Sequence, residues 1–252
     1  MPPATADDHV LAARLATEAG ELLVGLRARL SADGLDGKPL GAEGDRAAHE
    51  LLMNWLASAR PADAVLSEEG VADPARLEAE RVWVVDPLDG TREFGELPRT
   101  DWAVHVALVV AGSPVAGAVA LPARGLTLAT SPPPPAPAPW TGSPRVLVSR
   151  SRPPVSAGRV AAALGGSLVP VGSAGAKAMA VVLGEAEVYP HSGGQHEWDS
   201  AAPVAVARAA GLHASRLDGS PLVYNRPDPY MPDLLICRPE LADRVIAAAR
   251  EG

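Results

Sequence analysis

Residues 82–91 read Val-Trp-Val-Val-Asp-Pro-Leu-Asp-Gly-Thr, and no other stretch limits so strongly what the chain can fold into. Val82, Trp83, Val84 and Val85 form an unbroken apolar run dominated by β-branched residues, the pattern of a buried strand. Asp86 and Asp89 follow it. Pro87 fixes its own φ and keeps Asp86 out of the helical region, so the strand stays extended up to the first carboxylate. Gly90 lets the backbone approach a ligand closely, and Thr91 adds a hydroxyl at a possible helix start. Hard oxygen ligands at a strand end, beside a Gly-Thr turn with free N–H groups, suit a divalent metal together with a phosphate. Taken alone, Asp-Pro and Asp-Gly equally mark an ordinary turn.

The charge balance narrows the partner. A formal charge of −8 argues against a nucleic-acid polymer or an acidic membrane surface, yet an acidic chain binds an anionic metabolite when metal ions supply the positive charge. Cys237 is the sole cysteine, which excludes an intramolecular disulfide and fits a reducing cytoplasmic setting. No apolar run is long enough to span a bilayer, and Met1–Asp8 lacks the apolar core of a signal peptide, so a cytoplasmic location is expected. The length, 252 residues, allows one large domain or two small ones.

Along the chain, Val10, Leu11, Leu15, Leu22, Leu23 and Leu26 make a helical stripe, with Asp7 or Asp8 as its candidate cap. Residues 31–44 hold four glycines and Pro39 and read as a loop. Asp45 then opens a second helical pattern, either as N-cap or as a catalytic carboxylate. Ala64–Leu66 is a short strand delivering Glu68 and Glu69, and residues 73–80 are a charged connection. Trp102–Val110 and Val115–Leu121 read as an antiparallel pair, followed by Leu126–Ala129. Asp101 and His105 are polar residues at that pair, and an isolated His there reads as a structural hydrogen-bonder. Ser131–Pro139 is a proline-rich extended loop.

Beyond it lie the strand Val146–Val148, ending in Ser149-Arg150-Ser151-Arg152; a helix over 153–164; a strand over 167–171; and Gly172-Ser173-Ala174-Gly175-Ala176-Lys177, leading into a helix at Ala178. The Ser/Arg cluster is either a phosphate or ribose contact or a solvated loop start, and the small-residue loop can accept an anion. Ala186–Tyr189 reads as a strand, 191–195 as a turn, and Asp199 as the start, or N-cap, of a helix closed by Gly211. A turn at 217–221, a last strand over Leu234–Cys237 and an Ala-rich helix finish the chain. Alternating strands and helices around an antiparallel pair predict a layered α/β or α+β sandwich.

Four elements in order then stand together: Asp45; Ser67-Glu68-Glu69; Asp86-Pro87-Leu88-Asp89-Gly90-Thr91; and Trp198-Asp199-Ser200-Ala201-Ala202. Together they resemble the inositol monophosphatase superfamily, the lithium-sensitive, magnesium-dependent phosphatases, over roughly residues 10 to 235. The resemblance implies a five-layer αβαβα sandwich forming a single phosphatase unit, with lobes at about 8–130 and 144–252 joined by the Pro-rich loop 131–143. It also implies two or three Mg²⁺ ions, inhibition by Li⁺, a small phosphorylated substrate and, as is common in the superfamily, a homodimer.

Residue by residue, it implies metal ligation by Glu68, Asp86, the Leu88 carbonyl, Asp89 and Asp199. Thr91 paired with Asp45 would activate the attacking water, which Glu68 also touches. Gly90 and Thr91 N–H groups would take the phosphate. The stretches 172–177, 149–151 and 217–224 resemble the CysQ-type 3′(2′),5′-bisphosphate nucleotidases, with Arg152 in place of their His. That implies substrate contacts from Arg150, Ser173 and Lys177 as well as from the metal-site residues, and removal of the 3′-phosphate of adenosine 3′,5′-bisphosphate in sulfate assimilation. The alternative is an inositol-1-phosphate or fructose-1,6-bisphosphate phosphatase using the same metal site.

Overall fold

The computed structural model describes residues 4–250. Helices α1 (Ala6–Ala32) and α2 (Gly37–Ala59) lie against one face of a five-stranded sheet. That sheet runs in the order β1 (Ala64–Ser67), β2 (Arg81–Asp89), β3 (Ala103–Val110), β4 (Ser113–Leu121) and β5 (Leu126–Ala129), parallel between β1 and β2 and antiparallel elsewhere. A short helix, α3 (Thr91–Gly95), leaves the end of β2.

The second sheet contains β6 (Arg145–Ser149), β7 (Ser167–Val171), β8 (Val188–His196), β9 (His213–Ser215) and β10 (Tyr230–Cys237), in the order β7-β6-β8-β10-β9. Helices α5 (Ala174–Val182) and α6 (Glu197–Ala209) fill the space between the sheets, and α4 (Val155–Leu164) and α7 (Ala242–Arg250) cover the outer face of the second. The layers are therefore αβαβα, as expected.

Three apolar cores separate these layers, and the strand patterns follow from them. On β2, Trp83 and Val85 enter the core under α1 and α2, while Val82 and Val84 enter the central core. On β10, Leu234 and Ile236 face the centre, while Leu235 and Cys237 face the outer core. A strand covered on both faces has no polar alternation, which is why these runs are continuously apolar.

Several expectations are corrected. Thr5, not Asp7 or Asp8, caps α1; Asp8 closes the reciprocal capping box and binds Arg81 and Arg60. The glycine-rich stretch 31–44 is mostly helix. Pro39 falls in the first turn of α2, where no intrahelical N–H is required. Gly41 and Gly44 are there for proximity: a Cβ would come within 2.6 Å of Thr91 Cγ2 at Gly41 and 2.8 Å of Leu88 Cδ2 at Gly44. Asp45 consequently lies inside α2 and is not its N-cap.

Asp199 is likewise not an N-cap. His196 occupies that position, and Asp199 sits in the first turn of α6, where its Oδ2 accepts the His196 N–H at 2.7 Å. The supposed turn at 191–195 belongs to β8, which pairs with β10 across an irregularity in register. Gly193 and Gly194 form that irregularity, both at positive φ, and pairing with β10 holds on either side of them. Lys177 is inside α5, which begins at Ala174 with Ser173 as cap.

Candidate active site

Sheet geometry delivers the acidic residues. β1 runs parallel to β2 with Ser67 beside Val85, so Glu68 emerges next to Asp86. The β2–β3 ladder is regular as far as Asp86 and shifts register before Asp89, around Pro87, which has no N–H to give the ladder. Gly90 takes the left-handed conformation at φ 90° and turns the chain into α3. α6 brings Asp199 in from the central layer.

One carboxylate oxygen from each of Asp86, Asp89 and Asp199 lies within 4.8 Å of the others. Asp86 Oδ1 accepts the Leu88 N–H at 3.1 Å, and Asp89 accepts the N–H groups of Ala174 and Gly175 at 3.1 and 2.5 Å. Asp86 is nearly completely buried, yet no arginine or lysine salt-bridges Asp86 or Asp199 among the described residues. Burial, then the Glu68, Asp89 and Asp199 charges, raise the Asp86 pKa well above the usual carboxylate range. Burial and Asp89 push Asp199 up to about 7, while burial and Asp199 push Glu68 up to about 7.

Burial also opposes the charge on Asp89, but His105, the Gly175 N–H and Lys177 outweigh it and hold its pKa down. Converging buried oxygens with too little cationic compensation are what a divalent cation needs, so the donor set fits a metal. Glu68 stands at the rim, outside the trio of close oxygens.

Beside this cluster, Thr91 Oγ1 lies 3.2 Å from Asp45 Oδ1 and 3.3 Å from the Leu88 carbonyl. Burial and the Glu69 charge raise the Asp45 pKa to about 7. A cavity of about 530 Å³ opens over the site, lined by residues that include Asp89, Gly90, Thr91, Ser173, Lys177 and Asp199. A second hollow of about 500 Å³ touches Asp45 and the other side of Thr91.

The nucleotide contacts expected from sequence reach the cavity wall but are already engaged. Arg150 is bound to Glu93 at 2.7 Å and to Glu96 at 2.8 Å. Lys177 is buried, with Nζ donating to the carbonyls of Gly172 and Ser173, and burial lowers its pKa to about 8. Ser173 Oγ accepts the Ala176 N–H at 3.0 Å. Arg152 also lines the cavity and is exposed, and its guanidinium makes no hydrogen bond or ion pair among the described residues.

Sequence reasoning missed Glu93, Glu96, Tyr189, His191 and Gln195 at this site. Only the pairing of β8 with β10 turns 189–195 toward it. His105 does prove to be a structural hydrogen-bonder, through Nδ1 at 3.0 Å from the Trp198 carbonyl oxygen; Nε2 lies 3.2 Å from Asp89 Oδ2, and that carboxylate holds the His105 pKa up against the opposing effect of burial.

The sequence matches the inositol monophosphatase family over residues 8–132 and 145–252. It is 51% identical to a 3′-phosphoadenosine 5′-phosphate phosphatase of Mycobacterium leprae (strain TN), covering 97% of this chain and 94% of that protein. It is 33% identical to the 3′(2′),5′-bisphosphate nucleotidase CysQ of Escherichia coli (strain K12), covering 75% of this chain and 80% of that one. The fold superposes on inositol monophosphatase-II from Staphylococcus aureus MSSA476 with a TM-score of 0.80 at 22% identity, covering 98% and 94% of the two chains. The chain belongs to the inositol monophosphatase family.

Proposed function

We propose that this chain is a metal-dependent phosphomonoesterase that removes the 3′-phosphate of adenosine 3′,5′-bisphosphate, giving AMP and inorganic phosphate. The observation that carries this reading is the 51% identity, over nearly the whole of both chains, to a relative named 3′-phosphoadenosine 5′-phosphate phosphatase. The inositol-1-phosphate and fructose-1,6-bisphosphate alternatives have no comparable support: the inositol monophosphatase neighbours share the fold at only 22% identity.

In this reading Asp86, the Leu88 carbonyl, Asp89, Asp199 and Glu68 hold two or three Mg²⁺ ions. When bound, such ions neutralise phosphate oxygens, lower the pKa of a bound water and stabilise the leaving alkoxide. Asp45 takes the proton that Thr91 Oγ1 relays from the attacking water; a carboxylate held at about 7 is suited to that role at neutral pH. Gly90 and Thr91 N–H groups orient the scissile phosphate at the start of α3. The Glu93–Arg150–Glu96 cluster forms one wall of the cavity and leaves Arg152 to meet a second anionic group.

The reading further includes inhibition by Li⁺, a cytoplasmic location, a homodimer, and lobes at about 8–130 and 144–252 acting as one unit. No helix among the described residues is long and apolar enough to cross a membrane. The test is a parallel assay of the purified protein on adenosine 3′,5′-bisphosphate, inositol-1-phosphate and fructose-1,6-bisphosphate with Mg²⁺, repeated with Li⁺ or Na⁺ at equal ionic strength. Preferential release of AMP, inhibited by Li⁺ and not by Na⁺, is expected. Faster hydrolysis of either sugar phosphate would replace the nucleotide assignment.

A further inference from the structure

Asp45 and His49 lie four residues apart on α2 and so share one helix face. Asp45 meets Thr91 there, and His49 meets the end of β1, with Nδ1 3.0 Å from Ser67 Oγ. Ser67 is buried, and its carbonyl accepts the Gly70 N–H at 3.2 Å, which closes the turn Ser67-Glu68-Glu69-Gly70. The His49 ring also lies over Gly70, where a Cβ would come 3.5 Å from Cε1. Among the described residues, the His49–Ser67 contact is the one side-chain hydrogen bond between this turn and α2.

Strand alternation connects the contact to the acidic cluster. Val65 packs on the side of α1 and α2, Leu66 enters the central core, and Ser67 turns back to α2. Glu68 is the next residue on the central side, from which α6 brings Asp199. β1 is a four-residue edge strand with β2 as its single neighbour, and beyond Ser67 it is continued by one bond, from the Glu68 N–H to the Val85 carbonyl at 3.3 Å. The charges of Asp199, Asp89 and Asp45 oppose that of Glu68 and act to push it outward. A short edge-strand end under such repulsion needs an anchor on its other face, and His49 stands there. Groups behind metal-facing ligands act in this way, by fixing ligand orientation.

We propose that His49 is a positioning residue. By holding Ser67 to α2 it fixes the Ser67–Gly70 turn, and so sets where the Glu68 carboxylate stands relative to the oxygens of Asp86, Asp89 and Asp199. This inference rests on the reading of Glu68 as a metal ligand.

The test asks whether His49 acts through Glu68. Mn²⁺ binding to the full chain is measured by calorimetry without substrate, beside melting temperature in EDTA. His49→Leu and Ser67→Ala each remove the contact, and each should bind Mn²⁺ about tenfold or more weakly, the scale on which ligand-orienting groups act. His49→Asn, which keeps a nitrogen near the Nδ1 position, should recover most of the affinity. In a Glu68→Gln background, itself weakened, His49→Leu should cost less than about twofold more, because the two changes remove one shared effect.

Mn²⁺ affinity of His49→Leu within about twofold of the wild type, with altered melting alone, overturns the role of His49 and leaves the metal site standing. So does an equal loss in the presence and absence of the Glu68 carboxylate. Failure of the wild type to bind Mn²⁺, or unchanged affinity in Glu68→Gln, overturns the ligand reading and this inference together. Should His49→Leu not fold, the smaller change Ser67→Ala, made in both backgrounds, decides by the same criteria.

Discussion

Thr91 Oγ1 donates to Asp45 Oδ1 across 3.2 Å, joining the first residue of α3 to the middle of α2. The contact exists because Gly41 and Gly44 let α2 lie almost on top of the chain that turns out of β2. It places a carboxylate with a pKa of about 7 behind a hydroxyl at the rim of the acidic cluster.

The first prediction tests this pair. Thr91→Ala should lower kcat by about 10²-fold or more, the scale of losing general-base assistance. Thr91→Ser should retain most of the rate because the hydroxyl is kept. Steady-state kinetics on adenosine 3′,5′-bisphosphate distinguish the two, and equal losses would assign the role to the methyl group packed beside Gly41.

The second concerns Asp86. Asp86→Asn should abolish turnover at saturating Mg²⁺. Since burial and neighbouring charges already disfavour the ionised carboxylate, the variant should melt no lower than the wild type in EDTA. It should lose most of the stabilisation that Mg²⁺ gives the wild type. Near-normal activity would remove Asp86 from the metal set.

The third follows from the raised carboxyl groups. Asp45, Glu68 and Asp199 each titrate near 7 in the folded protein, far above ordinary Asp and Glu. Between about pH 4 and 7 the folded chain therefore binds more protons than the unfolded one, and its stability falls as pH rises through that window. In EDTA the melting temperature should drop from pH 5 to pH 8. With millimolar Mg²⁺ the drop should shrink, because the cation stabilises the ionised cluster. A melting temperature independent of pH in EDTA would show that these groups do not repel one another as the geometry requires.

The fourth concerns the second phosphate of the substrate. Arg150 and Lys177 are engaged with Glu93, Glu96 and two carbonyls, whereas Arg152 lines the cavity with no ion pair among the described residues. Arg152→Ala should raise KM for adenosine 3′,5′-bisphosphate about tenfold, roughly the 1.5 kcal/mol of a charge-assisted hydrogen bond, and leave 3′-AMP nearly unchanged. Lys177→Ala should instead lower stability and activity on both substrates, since its ammonium holds the loop before α5. Parallel KM changes for Arg152→Ala on the two substrates would rule out the contact.

The local sequence by itself determined the backbone that carries the acidic cluster. The strand end at Asp86, the spacing to Asp89 and the Gly90-Thr91 turn were legible because Pro, Gly and β-branched residues restrict the backbone over a few residues. Continuous apolar runs likewise reported buried strands, and the ordered motifs pointed to the five-layer sandwich. Only the tertiary structure decided what those residues touch. Residues 31–44 read as loop because helix propensity penalises glycine, yet close approach to Thr91 and Leu88 requires glycine within α2 and moves Asp45 from a cap to the helix interior. Residues 191–195 read as a turn, but pairing with β10 makes them strand. Arg150 and Lys177 read as free cations, since sequence carries no trace of Glu93, Glu96 or the carbonyls that claim them. His105 looked isolated because the groups beside its ring, the Asp89 carboxylate and the Trp198 carbonyl, come from separate layers of the sandwich. Local backbone preference is written in neighbouring residues, whereas ion pairing, burial and proton affinity depend on groups that packing alone brings together.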